Sequence, residues 1–501
     1  VKGDRWYKRS NRAAFAPRLG LAWSPQAKTV FRLGYGLAFD TISSFQVTSI
    51  SGKVPGSSLQ CSVNVQDSAA GSAPCTDIPN DVRLSQLLQL FKPFTLGTPA
   101  ARPSTQLGPP ARVLGVAPSA GAFDPNLKLP TVHEWSLTIQ RELPKAFVGQ
   151  VGYIGKHGTR LYRAYDLNQI RTDQPGFRES FLIAERNYRS GCQPDGTGCP
   201  AGVTGVPPTL LLALVPNSVL NGWTSDLRQN GLGDMARRID QRDIVSRGFA
   251  ANYFRPNPQF SEFFYFDSGG SSVYHGMITQ LRRRFARGFE FGASYTLSKS
   301  IDDMSVDPVA ATSGGGLSST NSRTPSDVRN FRLDRAVSDF DNTHVLVANG
   351  VFELPFGRDR AWAKSVPGWA NHFVGGWTLT GIFTKQSGEP YTINSGMRTA
   401  NGYKVSRAEL KGPLPESKLK FIEGVEGPVV YKVSDIDANN CRQVVGTESY
   451  FCIPEPGGYG ASRNMVRGPG FWNFDAGVIK NFSLTERVRL QFRSEFFNLF
   501  N

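Results

Sequence analysis

The feature that most constrains this chain is a repeated pair of alternating segments joined by a tight turn, with a very long segment before the next pair. Leu19-Gly-Leu-Ala-Trp-Ser24 leads through Pro25 and a short turn into Phe31-Arg-Leu-Gly-Tyr-Gly-Leu-Ala-Phe39. In an extended strand, Phe31, Leu33, Tyr35, Leu37 and Phe39 share one face, and Arg32, Gly34, Gly36, Ala38 and Asp40 share the other. One apolar, aromatic face and one small or polar face suit lipid on one side and water on the other. Short turns at one end and long loops at the other are the layout of a transmembrane β-barrel.

The same pattern recurs five times. It predicts ten strands, at about 15–24, 29–40, 132–143, 147–156, 272–285, 289–300, 344–354, 374–386, 470–481 and 487–498. Most are about ten residues long, enough to cross a bilayer when tilted. Trp23, Phe31, Phe147, Phe289 and Trp377 lie near the short turns. Phe15, Phe39, Trp135, Tyr153 and Trp472 lie near the long loops, so two aromatic girdles are expected. The longest loop, about 157–271, has room for short helices near Asp226 to Arg247. The fold class is therefore all-β, an antiparallel transmembrane β-barrel with long extracellular loops.

Composition narrows the function. The net charge is +15, but the densest basic run, Arg282-Arg-Arg284, is too short for a nucleic-acid surface. Solvated loops and a wet lumen account for the charge. Gly-x-Ser-x-Gly, His-Glu-x-x-His and the phosphate-loop pattern are absent, so no enzyme is indicated and no cofactor is implied. The six cysteines form three close pairs, Cys61 with Cys75, Cys192 with Cys199, and Cys441 with Cys452. Each pair lies within one long loop, which fits disulfides formed outside the cytoplasm. Two acidic groups, Asp302, Asp303 and Asp307, then Asp334, Asp339 and Asp341, have spacings that suit turns or a calcium site.

Charged residues at alternate positions identify the wet face. Arg18, Arg32, Glu134, Arg282, Glu290, Arg489, Arg493 and Glu495 all fall opposite the apolar stripe. An arginine facing lipid at mid-depth costs roughly 2–4 kcal/mol, whereas one facing a watery lumen costs little. Cross-strand pairing within the barrel is the expected role of these side chains, and contact with a plug is the alternative.

Several segments resemble a known family. They are Arg18-Leu-Gly-Leu-Ala-Trp23, Phe31-Arg-Leu-Gly-Tyr-Gly36, Glu134-Trp-Ser-Leu-Thr-Ile-Gln-Arg-Glu-Leu-Pro144 and Gly152-Tyr-Ile-Gly-Lys-His-Gly158. To these add Ala293-Ser-Tyr-Thr-Leu-Ser-Lys-Ser-Ile-Asp302, Phe352-Glu-Leu-Pro-Phe-Gly357, Gly375-Gly-Trp-Thr-Leu-Thr-Gly381, Arg463-Asn-Met-Val-Arg-Gly-Pro-Gly470 and Arg493-Ser-Glu-Phe-Phe-Asn-Leu-Phe-Asn501. Together they resemble the barrel of Oar-like TonB-dependent receptors, outer-membrane proteins abundant in Acidobacteria. The resemblance implies a barrel of about 22 strands, filled by an N-terminal plug and energised by an inner-membrane TonB complex. Residues 1–501 then correspond to one partial barrel domain, the C-terminal half without the plug, the TonB box or the final strand. The implied partners are outer-membrane lipid and lipopolysaccharide, the plug, TonB and an unidentified solute, with no nucleic acid. A passive porin or surface adhesin is the alternative function, and a secreted all-β enzyme the second.

Overall fold

The computed structural model describes residues 14–41, 120–250, 252–257, 260, 262–305, 325–358, 360–411, 451–483 and 487–500, together with the short strands Cys61–Ser62, Ala73–Pro74 and Ile436–Asp437. Ten long strands carry the architecture. They are β1 (Arg18–Gln26), β2 (Thr29–Phe39), β3 (Thr131–Leu143), β4 (Phe147–Asp166), β5 (Phe263–Ala286), β6 (Phe289–Asp302), β7 (His344–Glu353), β8 (Trp377–Gln386), β9 (Phe471–Ser483) and β10 (Arg489–Phe496). Each pairs antiparallel with its neighbours in sequence, so one sheet runs from β1 to β10 in chain order. No long strand crosses over. This is the meander that two-sided amphipathic strands adopt when every backbone group must be satisfied within the sheet.

The register places the sequence stripes on common faces. Leu21, Leu33, Leu137, Tyr153, Met277 and Leu297 stand directly opposite one another from β1 to β6. Leu21 is 60% exposed and Leu33 48%, although both are apolar. Exposed leucines in a continuous band across a sheet are what a lipid-facing surface requires. The opposite face is lined mainly by Gly, Ser, Thr, Gln and charged residues, with apolar side chains such as Ile154, Ile278, Val345, Val347, Val351 and Ile382 among them.

The band has measurable limits. At the long-loop end, the outward positions His133, His157, His275, Lys299, His344 and Lys385 mark its edge on β3 to β8. His157 is opposite His133, whereas His275 is opposite Gly155, two residues nearer the turns. Lys299 is opposite His275, His344 is opposite Leu297, and Lys385 is opposite Leu346. The edge therefore slips six residues over five strand-to-strand steps. With about 3.3 Å per residue and about 4.8 Å between strands, that slip corresponds to a strand tilt of about 40°, within the range of membrane barrels. The turn-side edge, marked by Arg141, Phe147, Arg283, Phe289, Phe352 and Trp377, slips in parallel. Eight to ten residues separate the two edges on every one of these strands. At that tilt the band is about 20–25 Å tall, the height of the apolar belt of an outer-membrane barrel.

β4 and β5 run further than their alternation predicts, to Asp166 and from Phe263. Gly269 and Gly270 fall within the long loop expected from 157 to 271, yet they sit in a bulge of the ladder. A Cβ on Gly270 would lie 3.0 Å from the Leu161 carbonyl oxygen, and Arg160 opposite adopts a φ of 59°. The glycines thus let two irregular strands continue as a paired ribbon beyond the band. At its tip sits a helical module: α1 (Phe177–Arg189), α2 (Thr209–Leu214), α3 (Asn217–Asn221), α4 (Thr224–Arg228) and α5 (Leu232–Asp240). Phe177, Phe181, Leu211, Leu227, Met235 and Phe254 are fully buried in its core. Short helices are expected in this loop, for example near α4 and α5; α1 adds an amphipathic segment whose apolar face closes that core. Among the described residues no helix is long and apolar enough to cross a membrane.

Candidate functional site

The inward face gathers half of the charged residues expected there. Arg282, Glu290, Arg493 and Glu495 line one concavity of about 700 Å³, with Asn349 and Asp475. Arg493 Nε lies 3.1 Å from Glu495 Oε1 on the same strand. The other four lie elsewhere on the sheet. Arg32 donates to Gln140 Oε1 at 2.6 Å, and Glu134 pairs with Lys156 at 3.1 Å. Arg18 is opposite Gly36, and Arg489 is opposite Ser483 at the turn-side end. Cross-strand polar contact is thus visible for Arg32 and Glu134. The inward wall is a polar surface with charges of both signs, suited to water and to polar solutes rather than to lipid.

Above the band, the loops are tied down by buried ion pairs. Arg407 Nη1 lies 2.7 Å from Asp334 Oδ1, and Lys404 Nζ lies 3.5 Å from the same oxygen. Ser326 donates to Asp334 through its backbone at 2.6 Å and its hydroxyl at 2.7 Å. Arg463 reaches Asp302 and lies 3.2 Å from Asp339, while Arg467 pairs with Asp341. Arg335 pairs with Asp303 at 2.8 Å. Five of the six aspartates considered for turns or calcium are therefore anchors for arginine or lysine; Asp307 lies outside the described residues. Their spacing gave no sign of this anchoring role, because the partners come from distant parts of the chain. The signal that could have found them lies in Arg463-Asn-Met-Val-Arg467, whose two arginines stand next to a strand on the long-loop side.

Burial shapes these groups. It opposes ionisation of Asp334, but Lys404, Arg407 and Ser326 more than offset it and hold the carboxyl below its ordinary range. Burial pushes the Lys404 ammonium down to about 8, and Asp334 pulls it partly back. Asp166, at the end of β4, is pushed up to about 7 by burial. Its Oδ1 accepts from the backbone of Asn168 and Phe263, both at 2.8 Å, while Oδ2 has no partner.

The anchored loops and the helical module enclose a polar cleft of about 800 Å³. Arg178 and Glu179 of α1 line one side; Asp173, Arg329, Gly457 and Tyr459 line the rest. Arg178 Nε donates to the Pro456 carbonyl at 2.6 Å, and the Tyr459 hydroxyl donates to Asp327 at 2.7 Å. Arg329 bridges Asp327 and Asp173, and with Tyr459 it keeps Asp327 ionised despite burial. Such a cleft offers fixed hydrogen-bond donors and acceptors to a polar ligand.

Cys192 and Cys199 are joined by a disulfide, S–S 2.03 Å, at the end of α1. Cys452 is also disulfide-bonded. Cys75 and Cys441 lie outside the described residues, as does the side chain of Cys61. Among the described residues no group of three or more His, Cys, Asp and Glu side chains is placed to hold a metal ion.

Paired amphipathic strands, a tilted apolar band and ordered loops on one side define an outer-membrane barrel wall. The chain belongs to the outer membrane beta barrel domain family, whose model matches residues 2–501. It is a protein of the Gram-negative outer membrane. No curated protein matches its sequence. Similar solved structures include the outer membrane transporter YddB from Escherichia coli, with 8% identity and a TM-score of 0.37 over 97% of this chain and 36% of that one. A mutant of the ferric enterobactin receptor from Pseudomonas aeruginosa, in complex with enterobactin, gives 8% identity and a TM-score of 0.36 over 97% and 35%. The ferric citrate transporter FecA in its unliganded form gives 9% identity and a TM-score of 0.32 over 97% and 33%. This chain spans about a third of the length of each.

Proposed function

We propose that the chain forms part of a TonB-dependent receptor of the Oar-like type, which takes up a solute too large or too scarce for passive diffusion. The observation that carries this reading is the one-sided loop architecture. Ion pairs, Arg407 with Asp334 and Arg463 with Asp302 between loops and Arg398 with Asp234 to the helical module, hold these parts in fixed positions above a wet, charged sheet face. A diffusion pore has no need for a preformed cleft at its mouth, whereas a receptor that captures before it transports does. In this reading the eight inward charges face a plug, and the cleft is the first contact for the solute. Among the described residues β1 and β10 each have one edge without a partner strand, and unpaired edges are not tolerated in lipid, so in this reading further strands complete the barrel.

Planar-bilayer recording on the full-length protein separates this from a passive porin. A plugged receptor shows no steady ionic conductance, and it binds the periplasmic domain of TonB from the same bacterium. A constant open conductance with no TonB binding would favour the porin.

A further inference from the structure

The outward face carries a charge pattern that membrane crossing alone does not require. Among the outward positions of the ten strands there is no Asp or Glu. At the long-loop edge there are six basic side chains, and four are histidines: His133, His157, His275 and His344, with Lys299 and Lys385. The whole sequence has five histidines.

Three of these histidines repeat one geometry. The Tyr35 hydroxyl is 2.9 Å from His133 Nδ1, that of Tyr153 is 2.7 Å from His275 Nδ1, and that of Tyr295 is 2.7 Å from His344 Nδ1. Each pair joins the two strands flanking a successive long loop, β2 with β3, β4 with β5 and β6 with β7. In each, the histidine sits diagonally, two residues closer to the loops than the residue opposite the tyrosine. On β8 and β9 the same diagonal is taken by Phe383 and Trp472, 6.4 Å apart. When the hydroxyl donates to Nδ1, the imidazole keeps its proton on Nε2, across the ring. With that tautomer the three rings present a row of N–H donors at one depth. Lys299 and Lys385 lie at that same depth, exposed and without an ion pair among the described residues.

The turn-side edge is built differently. Arg283 donates to the carbonyls of Lys145 and Phe289 and lies over the Phe147 and Phe289 rings. Lys480 donates to the Gly375 carbonyl and lies over Trp377 and Phe482. These two cations are occupied by the chain itself. At the loop side, the ammonium groups of Lys299 and Lys385 and the Nε2 atoms of the three histidines have no such partner among the described residues, and they stand where headgroups of the outer leaflet meet the protein.

We infer that the loop-side edge is a binding belt for the phosphate groups of the outer leaflet's glycolipid, with His133, His275, His344, Lys299 and Lys385 as its donors. Phosphate is the fitting class: it is an anion with several acceptor oxygens, and the belt supplies only donors and positive charge.

The test uses the full-length protein in detergent, with native mass spectrometry reading bound lipid. The probes are diphosphorylated lipid A and the same lipid A with both phosphates removed. Preference for the phosphorylated lipid by about tenfold or more is expected, with that preference lost in the variant H133Q/H275Q/H344Q/K299Q/K385Q. The smaller variant K299Q/K385Q removes no hydrogen bond or ion pair among the described residues; a partial loss from it supports the belt even if the histidine changes disturb folding. Changing Arg141→Gln at the turn side should leave the preference intact. Equal binding of the two lipids by the unaltered protein, or an undiminished preference in K299Q/K385Q, would overturn the inference.

Discussion

At the scale of single residues, the alternation of the sequence is the most informative signal, because a strand's side chains have only two directions. Leu137 and Ser136 are neighbours on β3, yet Leu137 points into the apolar band and Ser136 packs over Gly34 on the wet face. Leu137→Arg should cost roughly 2–4 kcal/mol of membrane stability, and Ser136→Arg under about 1 kcal/mol, because the glycine opposite leaves room. Unfolding from lipid vesicles by denaturant measures both; equal losses would mean the faces are wrongly assigned. A glycine also shapes the loop-side edge. A Cβ on Gly155 would lie 2.3 Å from the Trp135 ring, which rests on that glycine beside His275. Gly155→Ala should therefore displace the indole and cost about 1–3 kcal/mol, with a change in tryptophan fluorescence as its readout. The aromatic content of both girdles was legible in the sequence. The Tyr–His diagonals were not, because each joins residues about 50 to 120 positions apart, and spacing carries no trace of that register.

At the scale of elements, all ten strands were visible in the sequence, eight of them with nearly the right ends; the extensions of β4 and β5 and the loops were not. Loop structure here depends on long-range pairs such as Arg463 with Asp302 and Arg407 with Asp334, which no local pattern encodes. Removing Asp334 as Ala would leave Arg407 and Lys404 buried beside each other without their carboxylate. A loss of about 3–5 kcal/mol in the loop layer is expected, seen as faster protease nicking of the loops while the membrane strands stay protected. Asp166 gives the same layer a pH dependence. Its folded carboxyl is raised from 3.8 to about 7, so the folded state holds an extra proton across that window. Its contribution is present at low pH and is lost as pH rises towards 7. The helical module should resist proteolysis better at about pH 5 than at about pH 8 on this account, and Asp166→Asn should remove that part of the difference.

At the scale of the whole molecule, two quantities agree without being built to do so. The slip of the loop-side edge implies a tilt of about 40°, and the residue count between edges implies a band of about 20–25 Å at that tilt. Both follow from the ladder register, which the sequence does not state, although it does state which residues alternate. The same geometry sets the orientation: every long loop leaves from one edge, and every short connection, including the helix Gly368–Val374, leaves from the other. The most direct measurement is labelling of the full-length protein in intact cells with a membrane-impermeant maleimide. Thr204→Cys, exposed in the helical module, should label on intact cells. Lys364→Cys, exposed on the connection between β7 and β8, should label only after the outer membrane is permeabilised. Labelling of Lys364→Cys on intact cells, with Thr204→Cys protected, would contradict a band that crosses the membrane with its long loops outside.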